Sequence, residues 1–174
     1  MSLAATAYAD DDDHDSFWSF SKDKSGVRAV DHMLYRQNCA ECHFAYQPGL
    51  LPRRSWQKMM QTSSLADHFG DNAELADADR QSILAYLNTY AADDADYKRS
   101  KKMMRSIREH ETPLRITQVR YFIEKHDEIP LRMVTGNPQV RSWSNCATCH
   151  TTADTGSFEE DDVRILGVGK WEDD

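Results

Sequence analysis

The sequence predicts an all-α protein made of two small helical lobes, each built around one copy of a repeated five-residue motif. Cys-x-x-Cys-His occurs at 39–43 and again at 146–150, and the two copies contain all four cysteines. The residues that flank both copies have the apolar spacing of helices rather than the alternation of strands. A chain of 174 residues with 40% hydrophobic residues is long enough for one domain or two small lobes.

We predict that residues 1–26 form a disordered acidic tail outside both lobes. A small-x-small triplet ending at Ala9 precedes Asp10, as at a secretory cleavage site, although the basic and most of the apolar residues of a signal are missing. We interpret residues 1–9 as an expression start joined to a truncated signal. The mature chain would then begin with the acidic run at 10–15 and lie outside the cytoplasm.

The first lobe is predicted at 27–93, with two helices joined by a turn. Pro52 suits the first turn of one helix, because the proline ring presets the backbone angle needed there. Asp77 suits the N-cap of the next helix, whose apolar residues recur at helical spacing. Gly70 favours a turn between the two helices, and this turn would carry His68.

A basic segment at 94–112 is predicted to connect the lobes, and the second lobe, with an acidic C-terminal tail, is predicted at 113–174. Thr112 and Pro113 suit the N-cap and first position of a helix that should end before Pro130. One stripe of this helix would consist of apolar residues three or four positions apart and would end in His126. The apolar residues of the stripe are Ile116, Val119, Phe122 and Ile123.

The repeated motif has several possible chemistries. A disulfide framework would close a strained loop within each motif and would leave both histidines unexplained. A Cys₄ zinc site usually separates its pairs by about 15–20 residues, whereas Cys42 and Cys146 are far apart in sequence. A thioredoxin-type pair needs a βαβ context, which the helical flanks do not provide.

Attachment of c-type haem uses every residue of the motif. The two thiols add to the porphyrin vinyl groups as thioethers, and the histidine that follows binds the iron. The sequence therefore predicts two covalent haems, haem 1 held by Cys39, Cys42 and His43, and haem 2 held by Cys146, Cys149 and His150.

Covalent haem also suits the composition and the expected location. Each porphyrin contributes a large apolar plate around which a chain poor in core residues can pack. The attachment chemistry takes place in the periplasm or its equivalent, which agrees with the signal remnant. The turn-rich segment 46–52 could wall haem 1 and accept the ring N–H of His43 through a backbone carbonyl.

The second axial ligand determines whether an iron has an open site. His68, in a loop between helices, could reach haem 1, and His126, at the end of an apolar stripe, could reach haem 2. Each could instead be an ordinary loop or core histidine. The rival ligands are Met59 and Met60 for haem 1 and Met133 for haem 2. We expect His14, His32 and His110 to be exposed, with His110 as a reserve ligand.

Several stretches between residues 34 and 166 resemble the soluble dihaem cytochrome c family. They are CAECHFAYQPGLLPRRSWQKMM, DHFGDNAEL, ILAYL, RITQVRYFIEKHDEIP and SNCATCHTTADTGSFEEDDVRI. The resemblance implies two helical haem-binding lobes, the first similar to small single-haem cytochromes c. It also implies iron bound by two histidines in both lobes, with His68 and His126 as the distal ligands.

The same resemblance implies a periplasmic electron carrier. Its implied partners are a small high-spin monohaem cytochrome c that binds oxygen and a membrane cytochrome b that supplies electrons from the quinone pool. We expect outer-sphere transfer without a catalytic acid, base or nucleophile. The alternatives are a dihaem peroxidase or reductase with one exchangeable axial site, and a haem-sensing or structural subunit.

The charge pattern limits the choice of partner. The net charge of −8 argues against nucleic acid, which needs a basic surface. The segment 98–108 is basic and the run 159–162 is acidic, and such blocks are either solvated surface or steering surfaces for a charged redox partner. No run of about 18 apolar residues is present, so no membrane span is predicted.

Overall fold

A computed structural model describes Lys24 and residues 26–171. Its helices are Met33–Cys39 (α1), Arg53–Met59 (α2), Thr62–Ala66 (α3), Asp77–Tyr90 (α4), Lys98–Arg105 (α5) and Arg120–Glu124 (α6). Two short strands, Arg164–Ile165 (β1) and Gly169–Lys170 (β2), pair antiparallel. The structure is therefore dominated by helices, as predicted. The predicted signal remnant and the acidic run at 10–15 lie outside the described residues.

The longest helix, α4, carries the apolar stripe that the sequence predicts. Ile83 and Leu87 are fully buried and pack in the largest core cluster. Asp77 is the first helical residue rather than the N-cap, and Asp79 shares the first turn. Carboxylates at this position interact favourably with the positive end of the helix dipole. The helix packs against α2 and α1 and forms the framework of the first half of the chain.

A tight turn between α3 and α4 holds His68. Pro52 is the N-cap of α2, and α3 is a short additional helix that the sequence did not predict. The His68 N–H donates to the Asp71 carbonyl at 2.7 Å, and the Asp71 N–H donates back at 3.3 Å. Phe69, inside this turn, has a φ of 60°. The turn fixes the histidine at the position where the sequence predicts a loop ligand.

The long helix predicted from Thr112–Pro113 to Pro130 is wrong. A 3₁₀ turn at Ile116–Gln118 is followed by Val119 in an extended conformation, with a ψ of 131°. Only the five-residue α6 comes next. Residues 116, 117 and 119 are all β-branched, and such residues restrict side-chain freedom in a helix and lower its stability.

The end of α6 has a second cause. The ring Nδ1 of His126 bonds to the carbonyl of Phe122 at 2.7 Å. A continued helix would give that carbonyl to the His126 backbone N–H, which instead donates to Ile123. The predicted stripe is consequently interrupted, because Ile123 is 51% exposed while Ile116 and Val119 are buried.

The rest of the second half consists of short elements joined by turns. After α6 come four 3₁₀ turns and the two-residue strands; the turns are Leu131–Met133, Cys146–Thr148, Ala153–Thr155 and Glu160–Asp162. Most backbone hydrogen bonds in this region close turns rather than extend helices. Among the described helices of the whole chain, none has the length and hydropathy needed to cross a membrane.

Two clusters of buried residues form the core. The larger cluster combines residues of the first half, such as Leu51 and Leu87, with Ile116 and Phe158 from the second half. The smaller cluster lies in the second half and contains Val134, Val140, Val163 and Ile165. Helix α5 turns Ser100 and Met103 into the core, while Lys98, Lys102 and Arg105 are exposed. The division into lobes at 94–112 stays a prediction.

A glycine seam joins the start of the described chain to the region after the second motif. Gly26 and Gly156 have φ angles of 71° and 84°. The Val27 N–H donates to the Gly156 carbonyl at 2.9 Å. A Cβ on Gly156 would collide with the Val27 carbonyl, and a Cβ on Gly26 would collide with the Gly156 carbonyl. Glycine is therefore needed at both positions for close approach of the two backbones.

Candidate haem sites

One cavity has all four residues predicted to hold haem 2 in its wall. Its volume is about 370 Å³. Cys146 and Cys149 come from the second motif, His150 follows them, and His126 enters from the turn after α6. Aromatic and aliphatic side chains make up much of the remaining wall, among them Phe122, Trp143, Phe158, Ile116, Val134 and Val140. The fold thus gathers the predicted attachment and ligand residues around one apolar space.

The two histidines of this cavity are spaced for a metal ion between them. The ring centroids of His126 and His150 are 6.1 Å apart, with an interplanar angle of 77°. An imidazole nitrogen binds a first-row metal at about 2.0–2.1 Å, and a ring centroid lies about 1.1 Å further out, so two opposed imidazoles place their centroids roughly 6 Å apart. The spacing therefore fits an iron bound from both sides.

His126 is oriented by its own helix. Its Nδ1–H donates to the Phe122 carbonyl at 2.7 Å, which leaves Nε2 for a metal. Its ring stacks on Phe122 with centroids 3.9 Å apart and meets Trp143 edge-on at 5.7 Å. Burial lowers the pKa of His126. A lowered pKa favours the neutral imidazole that metal binding requires.

His150 is held by the backbone of the second motif. The backbone N–H of His150 donates to the Cys146 carbonyl at 2.8 Å, and its backbone forms an isolated β-bridge with Val163. Burial, with smaller contributions from His126 and Arg99, lowers the pKa of His150 to about 4. Its Nδ1 is buried without a hydrogen-bond partner. A neutral ring with one unpaired buried nitrogen suits a ligand site rather than a solvated surface.

The first motif forms a second histidine pair. His43 and His68 have ring centroids 6.2 Å apart and an interplanar angle of 29°, which again fits a metal ion between two imidazoles. The His43 Nδ1–H donates to the Phe44 carbonyl at 2.7 Å. This carbonyl belongs to the next residue and not to the segment 46–52 that the sequence indicated. Burial, then the neighbouring His43 and Arg115, lower the pKa of His68.

None of the four cysteines is paired with another in a disulfide, so the structure contains no disulfide framework. Cys39 ends α1 and packs against the larger core cluster, whereas Cys42 is exposed. Burial raises the pKa of Cys39 to about 11 and that of Cys146 to about 12. Over the described residues, no group of three or more His, Cys, Asp or Glu side chains is placed to hold a metal, so the zinc interpretation lacks a site.

The rival ligands occupy other positions. Met60 is buried and Met59 half-buried in the larger core cluster, and Met133 packs against the smaller one. His110 is exposed. The expectation of an exposed His32 is wrong, because it is half-buried and its Nδ1 accepts the Tyr35 N–H at 3.1 Å as the N-cap of α1. His14 lies outside the described residues.

Two residues near the sites carry roles that sequence spacing did not indicate. Tyr46 stacks on His43 with ring centroids 4.9 Å apart and reaches the second half of the chain. The guanidinium of Arg99 donates to the Phe158 carbonyl at 2.8 Å, and Arg99 lines the haem-2 cavity. Both contacts join residues far apart in sequence, so no local pattern could have revealed them.

Comparison with known families decides what the motifs mean. The family model of dihaem cytochrome c matches residues 35–158, a region that includes both motifs and both predicted distal histidines. The chain belongs to the dihaem cytochrome c family. As a dihaem cytochrome c, it carries two covalently bound haem c groups with iron, which confirms the cofactor prediction. The family resemblance drawn from the separate sequence stretches is confirmed as well.

Solved structures of dihaem cytochromes c are similar to this chain. The crystal structure of a dihaem cytochrome c from Shewanella baltica is 39% identical, with a TM-score of 0.66, and covers 80% of this chain and 97% of its own. A dihaem cytochrome c from Rhodobacter sphaeroides is 41% identical, with a TM-score of 0.66, covering 76% of this chain and 100% of its own. A crystal structure of DHC purified from Rhodobacter sphaeroides is 40% identical, with a TM-score of 0.59, covering 75% and 99%. No curated protein matches the chain.

Proposed function

We propose that this cytochrome is a periplasmic electron carrier in which each of its two irons is bound by two histidines. The observation that carries the proposal is the pair of histidine spacings, 6.2 Å between the ring centroids of His43 and His68 and 6.1 Å between those of His126 and His150. Each of these two distances matches that expected for an iron bound between two imidazole rings. Neither site then has a position open to a substrate.

The residues divide between two sites. Each haem, when bound, supplies a one-electron couple between ferric and ferrous iron. The cysteine sulfurs fix the porphyrins, and the histidine nitrogens hold the irons. For haem 1 we assign Cys39, Cys42, His43 and His68, and for haem 2 we assign Cys146, Cys149, His150 and His126.

Rigid ligands suit a carrier better than an enzyme. The ring of His43 is held by the Phe44 carbonyl and that of His126 by the Phe122 carbonyl, each at 2.7 Å. These hydrogen bonds keep the rings in place in both oxidation states and increase the basicity of the ligand nitrogens. Little rearrangement then accompanies gain or loss of an electron. A peroxidase or reductase would need one of these nitrogens to leave.

The partners we propose are a small high-spin monohaem cytochrome c and a membrane cytochrome b. The acidic run at 159–162 is exposed and follows the haem-2 motif, and it suits a basic docking surface. Two of its four acids already face cations, because Glu159 lies 4.0 Å from Arg99 and Glu160 lies 3.6 Å from Lys125. Asp161 and Asp162 would therefore carry most of the attraction. Periplasmic location is supported by the covalent attachment of haem.

Carbon monoxide binding tests the proposed ligation. It binds ferrous haem only where an axial position is open, so the reduced holoprotein should keep its absorption spectrum when the gas is added. The variants H68A and H126A serve as positive controls, since each should open one iron and bind one equivalent. Fast stoichiometric binding by the wild-type protein would overturn the proposal in favour of a dihaem enzyme. Near-infrared magnetic circular dichroism would then identify which ligand is not histidine.

A further inference from the structure

We propose that Tyr46 is the link through which the two haem sites exchange an electron. This inference rests on the proposed carrier function and adds to it a residue that touches both sites. A carrier with two haems needs a route between them if an electron accepted at one site is to leave from the other. Tyr46 is half-buried and contacts a ligand residue of haem 1 and a backbone segment of haem 2.

The first contact is with the proximal side of haem 1. The rings of Tyr46 and His43 are stacked, with centroids 4.9 Å apart and an interplanar angle of 27°. The backbone carbonyl of Phe44 holds the His43 ring from its Nδ1, so the stacked pair has a fixed geometry. An aromatic ring in face contact with a metal ligand offers a short through-space step away from that metal.

The second contact is with the attachment segment of haem 2. The Tyr46 hydroxyl donates to the Ser144 carbonyl at 2.8 Å. Cys146, two residues further along, has its Sγ 3.7 Å from the same carbonyl oxygen. This sulfur is the atom that we assign to a porphyrin thioether. The ring, the hydroxyl and one carbonyl therefore form a continuous series of contacts from His43 to Cys146.

The position of Tyr46 is fixed from both sides. Its backbone carbonyl accepts a hydrogen bond from the Tyr35 hydroxyl at 2.7 Å. The next residue, Gln47, is fully buried and its side-chain amide donates to the Ala153 carbonyl in the second half of the chain. A tyrosine phenol keeps its proton at neutral pH, so the Tyr46 hydroxyl remains a hydrogen-bond donor.

The transfer needs no chemistry from Tyr46 itself. With both haems bound, one electron would pass from ferrous iron at one site to ferric iron at the other, and no bond would form or break. The phenol keeps its proton and is not oxidised. Its contribution is to replace an empty or loosely packed gap with bonded and hydrogen-bonded atoms, across which an electron tunnels more readily than across space.

The variant Y46F tests this role, because it keeps the stacked ring and removes only the hydrogen bond to Ser144. The matched control is Y86F, which removes a phenol that accepts the Asp31 N–H at 3.2 Å. The ring contacts of Tyr86 are with His32, Tyr35 and Tyr90 and not with a histidine of either pair. Holoprotein half-reduced with dithionite is followed by two-dimensional NMR exchange spectroscopy, which gives the intramolecular exchange rate. We expect a severalfold slower rate in Y46F and the wild-type rate in Y86F.

A second variant and two further measurements separate the outcomes. Y46L removes the ring as well and should be slower than Y46F, while the absorption spectra and potentials of both haems stay close to wild type. A wild-type exchange rate in both Tyr46 variants would overturn the link and leave the carrier function intact. A shift of both potentials together with the rate would also overturn it, because that pattern indicates a structural role. Failure of the carrier function itself would show separately as carbon monoxide binding.

Discussion

Arg99 places a positive charge beside both histidines of the haem-2 site. It lines the haem-2 cavity, and its proximity is one of the causes that lower the pKa of His126 and of His150. The side chain is only 21% exposed and its Nε is buried without a partner. Its charge is therefore only partly screened by water. A buried positive charge disfavours ferric iron, which carries one more charge than ferrous iron.

The variant R99Q should lower the reduction potential of haem 2 and leave that of haem 1 unchanged. Loss of this partly buried charge is expected to make the reduction of haem 2 less favourable by about 1 kcal/mol, which corresponds to roughly 40 mV for a one-electron couple. Glu159, which faces Arg99, offsets part of this charge. Spectroelectrochemical titration measures the shift.

The control for this prediction is R120Q. Arg120 is 78% exposed and paired with Glu124 at 2.6 Å, so its removal should leave both potentials unchanged. Equal shifts in R99Q and R120Q, or a rise of the haem-2 potential in R99Q, would contradict the assigned effect of Arg99.

Sequence reasoning can propose site residues where they follow a local chemical pattern. The six residues of the two motifs come directly from their spacing, and His126 from its place at the end of an apolar stripe. His68 needed the family resemblance in addition. Tyr46 and Arg99 were missed as connecting residues because their partners, Ser144 and Phe158, lie far along the chain. Contacts of this kind depend on the packing of the whole fold.

On the scale of chain segments, the glycine seam between Gly26 and Gly156 is where the structure most strictly requires glycine. Gly156 combines a φ of 84° with the collision that a Cβ would make with the Val27 carbonyl. Gly70 has a φ of 107° but nothing within 4 Å of an added Cβ. The two positions therefore separate backbone strain from steric overlap.

The variant G156A should be destabilised more than G70A. A positive φ alone costs an alanine of the order of 1–2 kcal/mol, so that is the loss expected for G70A. G156A must in addition separate the backbones at Val27 and should lose several kcal/mol. Urea unfolding of the two holoproteins, followed by circular dichroism, measures the difference. Equal midpoints for G156A and G70A would show that the seam can open without cost.

The success of helix prediction differed between the two halves for a physical reason. In α4 the apolar spacing and the acidic first turn both favour a helix, and the helix forms over Asp77–Tyr90. Between Ile116 and His126 the apolar spacing was similar, but β-branched residues and the ring of His126 compete with the helical hydrogen bonds. Hydrophobic periodicity reports which residues can be buried, and it does not report this competition.

On the scale of the whole molecule, the two haem regions share one core. The larger cluster includes Ile116, Val119, Ala153 and Phe158 from the second half together with residues of α1, α2 and α4. Gln47 and Tyr46 add hydrogen bonds across the same boundary. A structure joined in this way is expected to unfold as a unit even if its two haem lobes are distinct in shape.

We therefore predict a single cooperative unfolding transition for the holoprotein. The shifted haem methyl resonances of the two sites, followed in one urea titration, should disappear at the same midpoint as the far-ultraviolet circular dichroism. Independent lobes meeting at 94–112 would instead give two midpoints, and the site with the earlier midpoint would identify the less stable half.

The short turns and paired two-residue strands after α6 also bear on how a cell makes this cytochrome. Isolated segments of that kind have little order of their own, because each turn fixes many backbone angles for few hydrogen bonds. We therefore expect the haem attached to the second motif to act as the template around which the C-terminal part of the chain folds during maturation. Protein made in a compartment that lacks the haem-attachment enzymes should be ordered around α4 and unfolded after α6.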